Sequence, residues 1–289
     1  MRIIAATITI GLLIALSSCE IINPEEQVPS YIHIEKIDLS TDYGSEGSNS
    51  HNIVDAWVYV NDKFIGGYEL PATFPVLASG EVNLKVRAGI RNSGATALRL
   101  DYPFYNFYEN AFFQLSEDSV SNAEPEATYF DDLTFEWLEG FEGSTTSLEE
   151  NENSVELTIT NNEDEVFEGN GSAKIELTTA EAYFSAVTTE SYTLPKQGSD
   201  VYLEMDYKTS GYIEVRLISN EVLNIQNTSI IVLYPTDDLW KKIYVDLGST
   251  VTRAANALTF QIQIICYSPN GQEQSVSYLD NIKLIHPGS

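Results

Sequence analysis

Histidine and cysteine are scarce in this chain, with three and two in 289 residues. His33 lies in an alternating apolar segment, His51 in a Ser/Asn stretch and His286 near the end. None has a second ligand at metal spacing, so no zinc site can be read. Two cysteines cannot make a disulfide framework. Cys266, within "LTFQIQIICYS", reads as a small buried hydrophobe. No G-x-S-x-G, no Gly-rich loop ending in Lys-Ser/Thr and no Cys–His pairing is present. Among 43 acids nothing selects a carboxylate pair for glycoside hydrolysis. Basic residues are few as well: 15 Lys+Arg leave a net charge of −28. Such a surface repels nucleic-acid phosphates and anionic headgroups, which argues against nucleic acid as a partner. It suits calcium, neutral glycans or basic partners, and it favours solubility.

No apolar run reaches the roughly 20 residues that a membrane-spanning helix needs. The run at 3–16 follows one charge, Arg2, and ends in small residues, which describes a secretory signal peptide over 1–18. Acidic, proline-broken "EIINPEEQVPS" then reads as a tether over 19–30.

Helical periodicity is missing, and strand signals fill the space. "YIHIEKIDL" alternates, turning Ile32, Ile34 and either Ile37 or Leu39 toward a core. "IVDAWVYV" and "VNLKVRAGI" are β-branched and aromatic, bounded by Asn, Asp and Gly turns. These place a first β-domain at 31–114. Polar 115–128 reads as a linker. Eight short strands with turn residues between them make 129–289 a second unit, a β-sandwich or jelly roll. The fold class is therefore all-β. "LRLDYPFYNFYENAFF" carries seven aromatics at 102–113. They read either as a ligand platform or, the favoured sense, as packing of one unit against the other.

Strand parity nominates a binding surface. Val201, Leu203 and Met205 face a core, leaving Tyr202, Glu204 and Asp206 on the other face. Ile213, Val215 and Leu217 leave Tyr212, Glu214 and Arg216; Phe260, Ile262, Ile264 and Cys266 leave Gln261, Gln263 and Tyr267. Tyrosine rings can cover the C–H face of a pyranose, and planar polar groups can bond its hydroxyls. Polar outer residues are also what any half-exposed antiparallel sheet shows.

Four stretches resemble known families. Leu16-Ser17-Ser18-Cys19 resembles the lipobox of bacterial lipoproteins, and the acidic residues after it resemble surface-export signals of Bacteroidetes lipoproteins. That resemblance implies cleavage before Cys19, its acylation, and an exported protein anchored at the outer membrane or cell surface. "DAWVYVNDKFIGGYELPATFPVLASGEVNLKVRAGI" resembles the PEGA type of Ig-like domain, through Asn61-Asp62, Ile65-Gly66, Pro71 and Gly80. Gly67 and the insertion before Phe74 depart from that type. "GFEG" at 140–143, "VFEGNGSAKIEL" at 166–177, "LWKKIYVDL" at 239–247 and "SYLDNIKLI" at 277–285 together resemble the galactose-binding-like jelly roll of carbohydrate-binding modules. This likeness implies a glycan-binding sheet, a structural Trp240, and one calcium held by Glu142, Asn170 and Asp280, with Glu136 a rival to Glu142. Asp118-Ser119-Val120 resembles the Bacteroidetes O-glycosylation sequence and nominates Ser119. The resulting expectation is a non-catalytic surface lipoprotein that binds a glycan or a surface partner. A scaffold lipoprotein without a small ligand, and a glycan-active enzyme, stay as alternatives.

Overall fold

The computed structural model describes residues 26–269 and 272–288. Residues 1–25, with the expected signal peptide and Cys19, lie outside the described residues. The first unit contains β1 (Ser30–Ile34), β2 (Asp38–Ser40), α1 (Tyr43–Glu46), β3 (Asp55–Val60), β4 (Lys63–Glu69), β5 (Ala72–Val76), β6 (Gly80–Arg91), β7 (Arg99–Asp101), β8 (Tyr108–Leu115), β9 (Val120–Ala123) and β10 (Glu126–Thr128). One sheet runs β4-β3-β6-β7, with β8 also on β6. Facing it are β5-β1-β9 and the pair β10-β2. Ile32 and Ile34 are buried as the alternation requires, and Ile37 and Leu39 are both buried because the chain breaks between β1 and β2 and resumes with shifted parity. Asn61 and Asp62 close the β3–β4 hairpin at φ +50° and +60°, the left-handed pair of a tight type I′ connection.

The segment 115–128 is no linker. β9 adds parallel to β1, and β10 adds parallel to β2. Its inward positions include Ala123 and Ala127, followed by Tyr129. Two alanines in an acidic stretch give period 2 almost no hydrophobic amplitude, and this hid the strands. Ser119 sits exposed in the turn before β9, where its backbone oxygen accepts from the Tyr31 amide (2.9 Å).

The second unit holds β11 (Leu133–Glu139), β12 (Leu148–Glu150), β13 (Thr158–Thr160), β14 (Ser172–Thr178), β15 (Tyr183–Thr188), β16 (Tyr202–Thr209), β17 (Tyr212–Asn220), β18 (Ile225–Leu233), β19 (Lys241–Asp246), α2 (Gly248–Arg253), β20 (Thr259–Tyr267) and β21 (Gln274–Pro287). Two antiparallel sheets form a jelly-roll sandwich. The six-stranded one runs β13-β14-β21-β16-β19, with β11 also on β21. The five-stranded one runs β12-β15-β20-β17-β18. Between them lie Leu203, Met205, Val215, Leu217, Phe260, Ile262, Ile264 and Cys266, among others. Cys266 is the buried hydrophobe expected, with its thiol pushed up to about 12 by burial.

The chain passes from β16 in one sheet to β17 in the other through Ser210-Gly211. A Cβ on Gly211 would stand 2.9 Å from Ser275 Oγ and 3.0 Å from the Tyr267 carbonyl oxygen. A side chain at this crossing would have to displace both.

The two units share one interface, laid on the outer face of the six-stranded sheet. Tyr202, Tyr244 and Ile285 belong to the first unit's core cluster. Tyr102 packs edge-on to Tyr202 (centroids 5.2 Å) and lies 4.9 Å from Tyr244. Tyr102, Phe104 and Tyr105 are each 1 % exposed, so the aromatic run packs the units together at this end. Phe107 and Phe112, from the same run, stay exposed.

Candidate functional site

The nine parity-selected residues do not form one surface. β16 belongs to the six-stranded sheet, whereas β17 and β20 belong to the other. Tyr202, Glu204 and Asp206 therefore face away from the remaining six, on the opposite side of the sandwich. They are also covered. Tyr202 is 2 %, Glu204 0 % and Asp206 1 % exposed. Parity fixed their direction correctly, but the first unit sits over that face.

Their chemistry is that of a buried polar interface. Glu204 accepts from Tyr102 Oη (2.8 Å) and Tyr129 Oη (3.0 Å). Asp206 accepts from Ser50 Oγ (2.9 Å) and Asn281 Nδ2 (3.2 Å). Lys242 lies 3.7 Å from Glu204 and 3.5 Å from Asp206. Lys283 donates to the Ser48 carbonyl (2.6 Å), and burial lowers its pKa to about 8. Burial likewise raises the Tyr102 and Tyr129 phenols, with Glu204 adding to it, so both remain hydrogen-bond donors. Each buried charge meets an opposite charge or a hydrogen-bond partner, the condition under which such groups are tolerated.

The other six residues do share a face. On the five-stranded sheet Tyr183 of β15 stands opposite Tyr267 of β20, which stands opposite Tyr212 of β17. Tyr212 and Tyr267 rings are 5.2 Å apart, and Tyr234 adds to Tyr212 at 5.5 Å. Four tyrosines thus cross one end of the sheet. Tyr183 and Tyr234 are the exposed ends, at 43 % and 68 %. Burial, with Glu214 next, raises the Tyr267 phenol, so it is a neutral hydroxyl near pH 7.

Beside this row run the polar groups. Arg216 Nε donates to Glu214 Oε1 at 2.8 Å. Gln263 Nε2 donates to Ser185 Oγ (2.9 Å), while its carbonyl accepts from Asn227 Nδ2 (2.5 Å). Gln261 Nε2 donates to the Thr188 carbonyl (2.8 Å), and its own carbonyl accepts from Asn220 Nδ2 (3.3 Å). These contacts fix the orientation of each amide and of the ion pair before any ligand arrives. Tyr183, Tyr234, Ser185, Asn220 and Asn227 were missed by the sequence reading. "YFSAV" carried the signal: Phe184 and Ala186 inward put Tyr183 and Ser185 outward.

The calcium positions are near one another, but their oxygens already have donors. Glu142 accepts from Asn170 N (2.9 Å) and Nδ2 (3.0 Å). The Asn170 carbonyl accepts from Asn161 Nδ2 (2.6 Å). Asp280 accepts from Ser172 Oγ (2.5 Å) and the Asn281 amide (2.8 Å). The rival Glu136 is elsewhere, 3.2 Å from His286 Nε2. Among the described residues no three His, Cys, Asp or Glu side chains converge as a metal site. This arrangement does not fit a cation cage. Asp280 is fully buried, and burial raises its carboxyl to about 7, against the pull of Ser172. It ties the Gly-x-x-Ser turn to β21 as a hydrogen-bonding group.

Trp240 is half-buried at the sheet edge, beside Phe167 (5.2 Å) and Lys208 (5.7 Å), and lies outside the sandwich core. It lines a cavity of about 490 Å³ at the domain junction with His51, Asp206 and Lys242.

No protein-family model and no curated protein matches the chain. Several solved structures are similar. The xylan-binding domain from CBM 22 aligns at TM-score 0.39 and 12 % identity, covering 54 % of this chain and 96 % of that one. The CBM22-2 xylan-binding domain from Paenibacillus barcinonensis Xyn10C aligns at TM-score 0.38 and 16 % identity, covering 52 % and 98 %. TmCBM61 in complex with β-1,4-galactotriose aligns at TM-score 0.32 and 12 % identity, covering 50 % and 92 %. These neighbours are carbohydrate-binding modules.

Proposed function

We propose that this chain is a non-catalytic glycan-binding protein whose binding surface is the outer face of the five-stranded sheet. The observation that carries this is the in-register row Tyr183–Tyr267–Tyr212, extended by Tyr234 and flanked by fixed Gln261, Gln263, Glu214 and Arg216. Aromatic rings present apolar area at low entropic cost, and held amides and carboxylates discriminate hydroxyl positions. Glu214 and Gln263 are 8 % and 7 % exposed and lie lower than the outer tyrosines. A sugar ring resting on the tyrosines would reach down to them. Binding needs no group that moves a proton. The lipobox-like Leu16-Ser17-Ser18-Cys19 supports the further reading that the protein is exported and lipid-anchored through Cys19.

A glycan array probed with the full chain tests the binding reading. Neutral glycans should bind, and Tyr212→Ala with Tyr267→Ala should abolish the signal while leaving the circular dichroism spectrum intact. An array without any bound glycan would refute it.

A further inference from the structure

We infer that the first unit carries a second glycan-binding face, built around Trp57 on the outer side of its β4-β3-β6 sheet and suited to uncharged sugar chains. In β3, Ala56, Val58 and Val60 face the core, so Asp55, Trp57 and Tyr59 face outward. Trp57 stands opposite Gly67 of β4 and Arg87 of β6. Gly89 makes room for the indole, and Gly67 leaves its other side uncovered. A Cβ on Gly67 would touch the ring at 3.7 Å, and one on Gly89 would lie 2.9 Å from Nε1. The ring therefore lies across two positions that have no side chain, one on each neighbouring strand. Phe64 continues the platform, stacked on Trp57 at 5.9 Å and 29° and itself 48 % exposed. Tyr59 closes it, 5.2 Å from Phe64.

Charged groups surround this platform in pairs. Arg87 bonds Asp101 (2.5 Å), Arg99 bonds Asp55 (2.6 Å) and Glu69 (2.9 Å), Arg91 reaches Glu69 (3.3 Å), and Lys85 bonds Asp62 (2.7 Å). Glu109 lies 3.5 Å from Lys85. Four cations meet five acids, so the face is within one charge of neutral on a chain of net −28. Cations already paired off are poor at capturing a polyanion. Fixed guanidinium–carboxylate pairs are good at bonding neutral hydroxyls.

Asp55 Oδ2, Asn83 Oδ1, Arg87 Nε and Arg91 Nε are buried polar atoms without a hydrogen-bond partner. All four belong to outward positions of β3 and β6 on this sheet. The packed ion pairs shut these atoms off from solvent, so a sugar would meet the outer carboxylates of those pairs, Asp62 at 74 % and Glu69 at 59 % exposure. An aromatic plane and a balanced set of exposed, ion-paired charges together match an uncharged pyranose chain.

The test is affinity electrophoresis of the full chain in native gels containing hydroxyethylcellulose, galactomannan, arabinoxylan or polygalacturonate. Tyr212→Ala and Tyr267→Ala are present throughout, so the other face contributes nothing and the two readings are scored separately. At least one of the three neutral polymers should retard this protein. Trp57→Ala should weaken that retardation by about tenfold, equivalent to about 1.4 kcal/mol. Phe64→Ala should weaken it too; Phe64 is exposed, so this variant decides the matter should Trp57→Ala fail to fold. Retardation by none of the neutral polymers, by polygalacturonate alone, or undiminished in both platform variants would overturn the proposal.

Discussion

Asp280 offers a prediction whose sign and size both follow from its surroundings. Its carboxyl is fully buried and titrates at about 7, against an ordinary value of 3.8. Between those two pH values the folded state holds a proton that the unfolded state has released. Stability from this group is therefore complete below pH 4 and is lost as pH rises to about 7. Three pH units correspond to about 4 kcal/mol, an upper bound for a single group. Asp280→Asn keeps an acceptor for the Asn281 amide and cannot ionise, and its Nδ2 donates to Ser172 Oγ once that hydroxyl turns to accept. At pH 8 the variant should be more stable than the wild type by about 2–4 kcal/mol, and at pH 4 the two should coincide. Urea midpoints from pH 4 to 8, in chelator, read the difference directly. Equal midpoints at pH 8 would refute the buried neutral carboxyl. Calcium that stabilises the wild type at pH 8 but not Asp280→Asn would return Asp280 to a metal site.

The interface should make the two units unfold together. Tyr102→Phe removes one donor from the buried Glu204 carboxylate and should cost about 1–3 kcal/mol, with a single urea transition retained. Two separated transitions in the wild type would contradict the shared core. Cys19→Ala should release the protein from the membrane fraction, and persistence of lipid on the variant would exclude that anchor. If Ser119 carries an O-glycan, intact mass of protein from its native host should exceed the acylated chain, and Ser119→Ala should remove the excess; no excess would end that idea.

Much of the fold was readable because strand parity is a strong signal. Val201, Leu203 and Met205, and likewise Ile213, Val215 and Leu217, lie in the sandwich core as their alternation demands. Parity carries no information on which sheet a strand joins. The Gly211 crossing places β16 and β17 in different sheets, and this divided the expected surface in two. Nor does parity say what covers a face. Glu204 and Asp206 read as solvated because buried carboxylates are rare. Their partners, Tyr102, Tyr129 and Ser50, are roughly 75 to 156 residues away along the chain. The tyrosine row was half visible, through Tyr212 and Tyr267. Tyr183 and Tyr234 joined it only once strand register was known.

The central claim is that the tyrosine row faces a ligand while Val215, on the inner face of the same strand as Tyr212, faces the core. Calorimetric titration of the full chain with the strongest neutral glycan from the array, alongside urea denaturation, separates these roles. Tyr212→Ala with Tyr267→Ala should weaken binding at least tenfold with little change in urea midpoint, and Val215→Ala should lose about 1–3 kcal/mol of stability while the folded protein binds as before. Unchanged affinity in the tyrosine variant, or a larger stability loss there than in Val215→Ala, would contradict the account.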